Sequence, residues 1–149
     1  LRMCLEHGDR LADEVVEVER VRAAQALLGE NDFSSFRTVH CQAPHARRNL
    51  QRIEVRREQA EIVIDVQANA FLHHMVRNIM GALVYVGSGR ISVDEFESVF
   101  HAKSRLKAPP TFMSDGLYLT GVDYPDEFGV TQLSLPEWMS VLGNDFQTA

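Results

Sequence analysis

Residues 49–89 read NLQRIEVRREQAEIVIDVQANAFLHHMVRNIMGALVYVGSG, and a change of period inside this stretch decides the fold. From Asn49 to Arg57, Ile53 and Val55 alternate with Arg52, Glu54 and Arg56, the two-residue period of a half-buried strand. From Ala60 to Ala68 the alternation is cleaner. Ile62, Ile64, Val66 and Ala68 face one way, and Glu61, Asp65 and Gln67 the other. The polar turn between them predicts a hairpin. Then the two-residue period stops. Phe71 to Val86 is apolar in nearly every direction, the mark of a buried helix, and Gly87-Ser88-Gly89 closes it.

Working outward, Asp13 to Leu28 reads as a helix, with Val21, Ala24, Leu27 and Leu28 at helical spacing and Gly29 as the stop. Glu30–Arg37 is expected to be a loop whose Phe33 and Phe36 pack inward. Ser92-Val93-Asp94-Glu95 has the form of a capping box, opening a short helix that buries Phe96, Val99 and Phe100. Beyond the basic linker Lys103–Pro110, Gly116–Tyr124 is a final strand. Leu117 and Leu119 face one side of it, and Tyr118, Thr120, Val122 and Tyr124 the other. Residues 126–149 form a tail in which Pro136-Glu137-Trp138 is expected to start a short helix. The order helix, strand, strand, helix, helix, strand predicts an α+β fold, an antiparallel sheet with helices packed on one face. It is similar to a ferredoxin-like unit without its first strand.

At 149 residues the chain is expected to be a single domain with a real core. It has no uninterrupted apolar run of about 18 residues, so no membrane span is expected. Its first residues lack both an apolar h-region and an initiator Met, which suggests a start inside a longer protein. Two cysteines, Cys4 and Cys41, are too few for a disulfide framework or a four-thiolate zinc site and point to a reduced, cytoplasmic setting. The net charge of −6 argues against nucleic acid, but the distribution does not. Residues 37–58 hold Arg37, Arg47, Arg48, Arg52, Arg56 and Arg57 against only Glu54 and Glu58, whereas residues 110–149 carry six acids and no Lys or Arg. A basic strand on an acidic body is either an anion-binding face or a solvated one.

The helix carries the chemistry. Within its apolar run sit His73, His74, Arg77 and Asn78, read as helical neighbours at i, i+4. A guanidinium held among apolar residues calls for a carboxylate, preferably through two parallel hydrogen bonds. No Asp or Glu occurs between Asp65 and Asp94, so the acid must come from elsewhere in the chain or from a segment outside it. The plainer alternative is a structural arginine paired with Asp65 or Asp123. A metal site is not expected: the two histidines are adjacent, with no H-x-x-x-H and no nearby Cys or Glu. Phosphate loops, dinucleotide fingerprints and nucleophile elbows are absent from the sequence.

The segment Asn69-Ala70-Phe71-Leu72-His73-His74-Met75-Val76-Arg77-Asn78-Ile79-Met80-Gly81 resembles the hallmark helix of the tRNA pseudouridine synthase A family (also called tRNA pseudouridine synthase I). Three further segments agree in order and spacing. They are Ala24–Arg37, then Ala108-Pro109-Pro110-Thr111, then Gly116-Leu117-Tyr118-Leu119 running on to Val122-Asp123-Tyr124-Pro125. The resemblance runs from about Val18 to Pro125.

The resemblance implies half of the pseudouridine synthase fold and an isomerase for uridines in the tRNA anticodon stem-loop, at tRNA positions 38, 39 and 40, working without cofactor or metal. In that family an aspartate attacks the nucleotide, the N-glycosidic bond breaks, the uracil turns, and a C–C bond forms. Arg77 matches the arginine that pairs with the aspartate, and Leu117 the apolar residue beside the target base. His73, His74 and Asn78 are expected near the substrate, and Arg37, Arg48, Arg52 and Arg56 on the RNA. The family's Arg-Thr-Asp-x-Gly-Val-His and Tyr-Arg-Tyr segments do not occur here. The chain therefore reads as a C-terminal half without the catalytic aspartate, inactive alone, with the N-terminal domain and a second copy in a homodimer as partners. A second departure is Ala43-Pro44-His45, where the family more often has Ser-Arg-Thr. The rival reading is a non-catalytic RNA-binding or dimerisation module.

Overall fold

The computed structural model describes residues 2–8, 14–58 and 61–130. Five strands form one antiparallel sheet: β1 (Arg2–Gly8), β2 (Gly29–Asp32), β3 (Arg47–Glu58), β4 (Glu61–Ala68) and β5 (Leu117–Gly121), in the spatial order β2-β3-β4-β1-β5. Three helices pack against it: α1 (Glu14–Gln25), α2 (Met75–Gly87) and α3 (Val93–His101). The α+β class and the antiparallel sheet stand as expected. One expectation fails: the first strand of the ferredoxin-like unit is present. β1 lies between β4 and β5, pairing Leu5 with both Ile64 and Leu117, and with α1, β3, β4, α2 and β5 completes a β-α-β-β-α-β order to which β2 and α3 are additions. A seven-residue strand with a charged residue at Glu6 and a histidine at His7 offered too short an apolar pattern to announce it. The short helix expected at Pro136-Glu137-Trp138 lies outside the described residues.

The hairpin forms as its period demands, with one adjustment. Leu50 and Ile53 are both buried although three residues apart, which a regular strand would send to opposite faces. A register shift between Leu50 and Arg52 reconciles them, a bulge that turns both toward the helices and leaves Arg52 on the other face. On β4 the side that carries Asp65 is buried as well. Val63 and Asp65 are buried along with Ile62, Ile64 and Val66, so both sides of β4 are covered over these residues. The segment 30–37, read as a loop, holds the edge strand β2 and a 3-10 turn over Ser34–Phe36. Phe33 and Phe36 do pack inward; Phe36 stacks on Phe96 and Phe100 at 6.0 and 5.9 Å.

Two close approaches set the helices. A Cβ on Gly87 would overlap the buried Arg20 guanidinium of α1, so this glycine lets α1 and α2 meet. A Cβ on Gly81 would overlap the Pro110 carbonyl oxygen, so the 108–112 segment lies directly on α2. At α3 the capping box is complete, with Ser92 Oγ accepting from the Glu95 amide and Glu95 accepting from the Ser92 amide.

Candidate functional site

The site residues gather at the start of α2, which begins four residues later than its apolar pattern predicts. Residues 69–74 form an irregular approach, and His74 sits in the left-handed region at φ 59° as the residue before the helix. Phe71 and Leu72 are apolar because they pack on the core, a role periodicity does not separate from a helical turn. Arg77 therefore lies in the first turn, half-buried, and His73 and His74 are not its helical neighbours. The histidine rings stack at 3.9 Å between centroids, His73 exposed and His74 half-buried.

Arg77 is held on two sides. Its Nε donates to the Phe112 carbonyl at 2.8 Å, and the Phe112 amide donates back to the Arg77 carbonyl at 3.2 Å. Its Nη1 lies 3.3 Å from His74 Nε2. Arginine has no acceptor, so His74 Nε2 accepts and the imidazole is neutral with its proton on Nδ1. Burial, the neighbouring His73 and the Arg77 charge all push the His74 pKa below its ordinary value, in keeping with that state. Among the described residues no carboxylate lies within ion-pairing distance of Arg77, and neither Asp65 nor Asp123 is its partner.

Asn78 is fully buried, with both ends of its amide engaged. Its Nδ2 donates to the Phe36 carbonyl at 2.8 Å, and its Oδ1 accepts from Thr111 Oγ1 at 2.6 Å. Arg105 continues the chain, donating to Thr111 Oγ1 and to the carbonyls of Ala108 and Pro109. Asn78 thus fixes the 108–112 segment that anchors Arg77; it faces protein on both sides. Thr111, Arg105 and the Phe112 carbonyl were not singled out from the residues as site members. The Ala108–Thr111 motif contains Thr111, and Arg105 has only its place in the basic linker Lys103–Pro110.

Leu117 opens β5 five residues after Phe112, and both pack half-buried on the core. On the other side, Thr38 Oγ1 lies 2.9 Å from His73 Nδ1, and the His73 amide donates to Cys41 Sγ at 3.4 Å. Burial raises the Cys41 thiol, but the amides of Ala43 and His73 and the Arg37 guanidinium outweigh it, so its pKa lies below the usual thiol value.

The basic residues do not form one uniform cluster. Arg37 spends its Nη2 on the carbonyls of Cys41 and Ala43, bracing the loop beneath His73. Arg48 Nη1 donates to the carbonyls of His45 and Arg47. Arg52 makes a two-pronged pair with Glu54 at 2.8 and 2.6 Å, and that pair is the main reason the Glu54 carboxyl sits below its ordinary pKa. Arg56 adds to the field on the same Glu54. No group of three or more His, Cys, Asp or Glu side chains comes together as a metal cage among the described residues. No helix among them is long and apolar enough to cross a membrane.

Comparison with known proteins places the chain in a family. A family model described as tRNA pseudouridine synthase matches residues 23–125. The tRNA pseudouridine synthase A of Neisseria meningitidis serogroup C / serotype 2a is 57% identical over 118 residues, covering 79% of this chain and 44% of that protein. The enzyme of the same name from Bordetella avium is 54% identical over 112 residues, covering 75% and 42% respectively. That from Chromobacterium violaceum is 52% identical over 118 residues, covering 78% and 45%. The chain spans less than half the length of these curated relatives. The family match takes in the α2 approach, the 108–112 segment and β5 together, and the chain belongs to the tRNA pseudouridine synthase family.

Proposed function

We propose that this chain supplies the arginine side of a tRNA uridine isomerase acting on the anticodon stem-loop at tRNA positions 38, 39 and 40, in the cytoplasm and as a homodimer. One observation carries the reading: Arg77 is anchored at Nε by the Phe112 carbonyl, and no carboxylate of the described residues pairs with it. The open edge of the guanidinium is suited to an aspartate from the N-terminal domain of a longer protein. Such a partner would be held ionised and aimed, since a nearby cation lowers a carboxyl pKa and a fixed pair sets the line of attack. Neutral His74 keeps a second positive charge away from Arg77. Leu117 offers an apolar wall for the uracil, and β5, the sheet edge beside β1, exposes Leu119 for the partner domain.

The basic strand fits RNA phosphates in this reading. Arg48 and Arg52 are the phosphate ligands. Arg52 must exchange Glu54 for phosphate, and an exposed pair of this kind is worth only about 0–1 kcal/mol.

The test uses the chain joined to its aspartate-bearing half. Arg77→Met is expected to cut single-turnover rates at saturating enzyme by a hundredfold or more (roughly the penalty for a misplaced reacting group). RNA affinity and melting temperature should change little. Arg77→Lys keeps the charge, loses the fork and is impaired as well. The 149-residue chain alone should form no pseudouridine in a tritium-release assay. Near-normal turnover by Arg77→Met makes the arginine structural and returns the chain to a non-catalytic RNA-binding or dimerisation module.

A further inference from the structure

At the rim where β2, β3 and β4 end together, a depression of about 300 Å³ is lined by Glu30, His45, Arg47, Arg48, Asn49 and Asn69. Nothing in the arginine site uses it. Its volume sits at the lower bound of small-molecule sites, roughly 300–1,000 Å³, enough for about one nucleotide. The lining is donor-rich: two guanidiniums, an imidazole and two carboxamides face a single carboxylate.

Arg48 is clamped by the carbonyls of His45 and Arg47 at 3.2 and 2.6 Å, and its buried Nε has no hydrogen-bond acceptor among the described residues. A buried N–H without an acceptor is costly, and a shift of the Arg48 side chain onto a phosphate oxygen would relieve it. Asn69 spends its Oδ1 on the amides of Asn49 and Ala70, and its Nδ2 makes no hydrogen bond among the described residues. The Asn49 amide side chain lies opposite Glu30 on the paired strand. Arg47 is held by Glu30 at 2.6 Å, but both side chains are about two-thirds exposed, so that pair is easily exchanged.

The depression also adjoins the arginine site through both bordering loops. His45 follows the 41–43 loop that Arg37 braces and His73 touches. Asn69 opens the approach that ends at His74. We infer that this depression is a second RNA subsite, holding one unstacked nucleotide by its phosphate on Arg48 and Arg47 and by its base or ribose edge on Asn49 and Asn69. This deepens the proposed function and rests on it. Unpaired nucleotides are what proteins read on RNA through side-chain amides and guanidiniums.

The experiment measures anisotropy of a labelled anticodon stem-loop hairpin on the full 149-residue chain, as a function of salt. Glu30→Gln should tighten binding about three- to tenfold, because it removes the one opposing charge and frees Arg47. Misfolding cannot mimic a gain. Glu97→Gln on α3 removes the same charge elsewhere and should change affinity less than twofold. The double variant Arg47→Met/Arg48→Met should weaken binding and flatten the salt slope by roughly 1 to 2 units. In a ¹⁵N spectrum, the side-chain amides of Asn49 and Asn69 should shift with the hairpin and not with equimolar inorganic phosphate or uridine monophosphate. Equal gains from Glu30→Gln and Glu97→Gln, or an unchanged slope in the double variant, overturn the subsite. Amide shifts driven as strongly by free phosphate or mononucleotide also overturn it, and assign a free-anion site. Turnover by the joined enzyme is scored separately. If isomerisation is seen while the hairpin ignores these variants, the subsite fails and the function stands. If the hairpin responds but uridine is never isomerised, the function fails instead.

Discussion

Replacing Asn78 by alanine isolates the brace behind Arg77. The residue is fully buried and joins two segments that share no backbone hydrogen bond through it, the Phe36 turn and the 108–112 segment. Truncation strands the Phe36 carbonyl in the core, at about 1–3 kcal/mol. The Thr111 hydroxyl is half-buried, still accepts from Arg105, and can turn to water, so its loss is nearer the ordinary hydrogen-bond value of about 0.5–1.5 kcal/mol. The total is on the order of 2–4 kcal/mol. For a chain of this length each kcal/mol lowers Tm by about 2–4 °C, so a fall of roughly 5–15 °C is expected. Urea denaturation of the full chain, followed by far-UV circular dichroism, gives the free energy directly. Thr111→Val alone should cost less, and the double variant should cost less than the two added, because the hydrogen bond the two residues share is lost only once. A cost below about 0.5 kcal/mol for Asn78→Ala, or strict additivity with Thr111→Val, refutes the brace.

Gly81→Ala places a methyl against the Pro110 carbonyl and should destabilise by about 1–3 kcal/mol; the Phe112 amide, read by hydrogen exchange, should lose protection as its bond to Arg77 opens. Ser92→Ala removes the hydroxyl half of the capping box at α3 while the residue-92 amide can still donate to Glu95, and should cost about 1 kcal/mol in urea melts, with hairpin binding unchanged. The depressed His74 pKa predicts a pH dependence of definite sign. The folded state prefers neutral His74, so stability is full above the unfolded pKa of about 6.5 and is lost as pH falls from there through the folded value. His74→Asn, which also tolerates the left-handed backbone, should show a smaller drop in Tm between pH 7 and pH 5 than the parent. An equal drop in both proteins removes His74 from the acid response.

The elements legible in the sequence are those whose signal is local. The β3–β4 hairpin, the α3 capping box and the glycine close of α2 each follow from a few adjacent residues, as do the inward Phe33 and Phe36. What escaped depends on distant parts of the chain. β1 acquires its place only from β4 and β5, so its own seven residues say little. The burial of Val63 and Asp65 on the second face of β4 depends on what the rest of the fold packs over it, which alternation does not encode. The start of α2 was misplaced because Phe71 and Leu72 are apolar for tertiary reasons. The site divides the same way. Arg77 stood out because no acid lies near it in sequence, whereas its anchor, a backbone carbonyl at Phe112, has no side-chain signature at all. The arginines of β3 were visible as charge, but which of them are already engaged by Glu54 or by carbonyls is a matter of rotamer and register.

The position of β1 has a kinetic consequence. Among the described elements the first strand must pair with the fourth and the fifth, so its hydrogen bonds close the longest loops between them. Loop-closure entropy delays such contacts and slows folding relative to local ones. The β3–β4 hairpin and the α2–α3 layer can form early from near neighbours, but β5 has no edge to dock on until β1 has inserted beside β4. Leu117 therefore joins the Arg77 side of the molecule only at the final closure. A refolding time course followed by hydrogen-exchange labelling should show β5 amides protected last, together with those of Arg2–Gly8 and after those of β3.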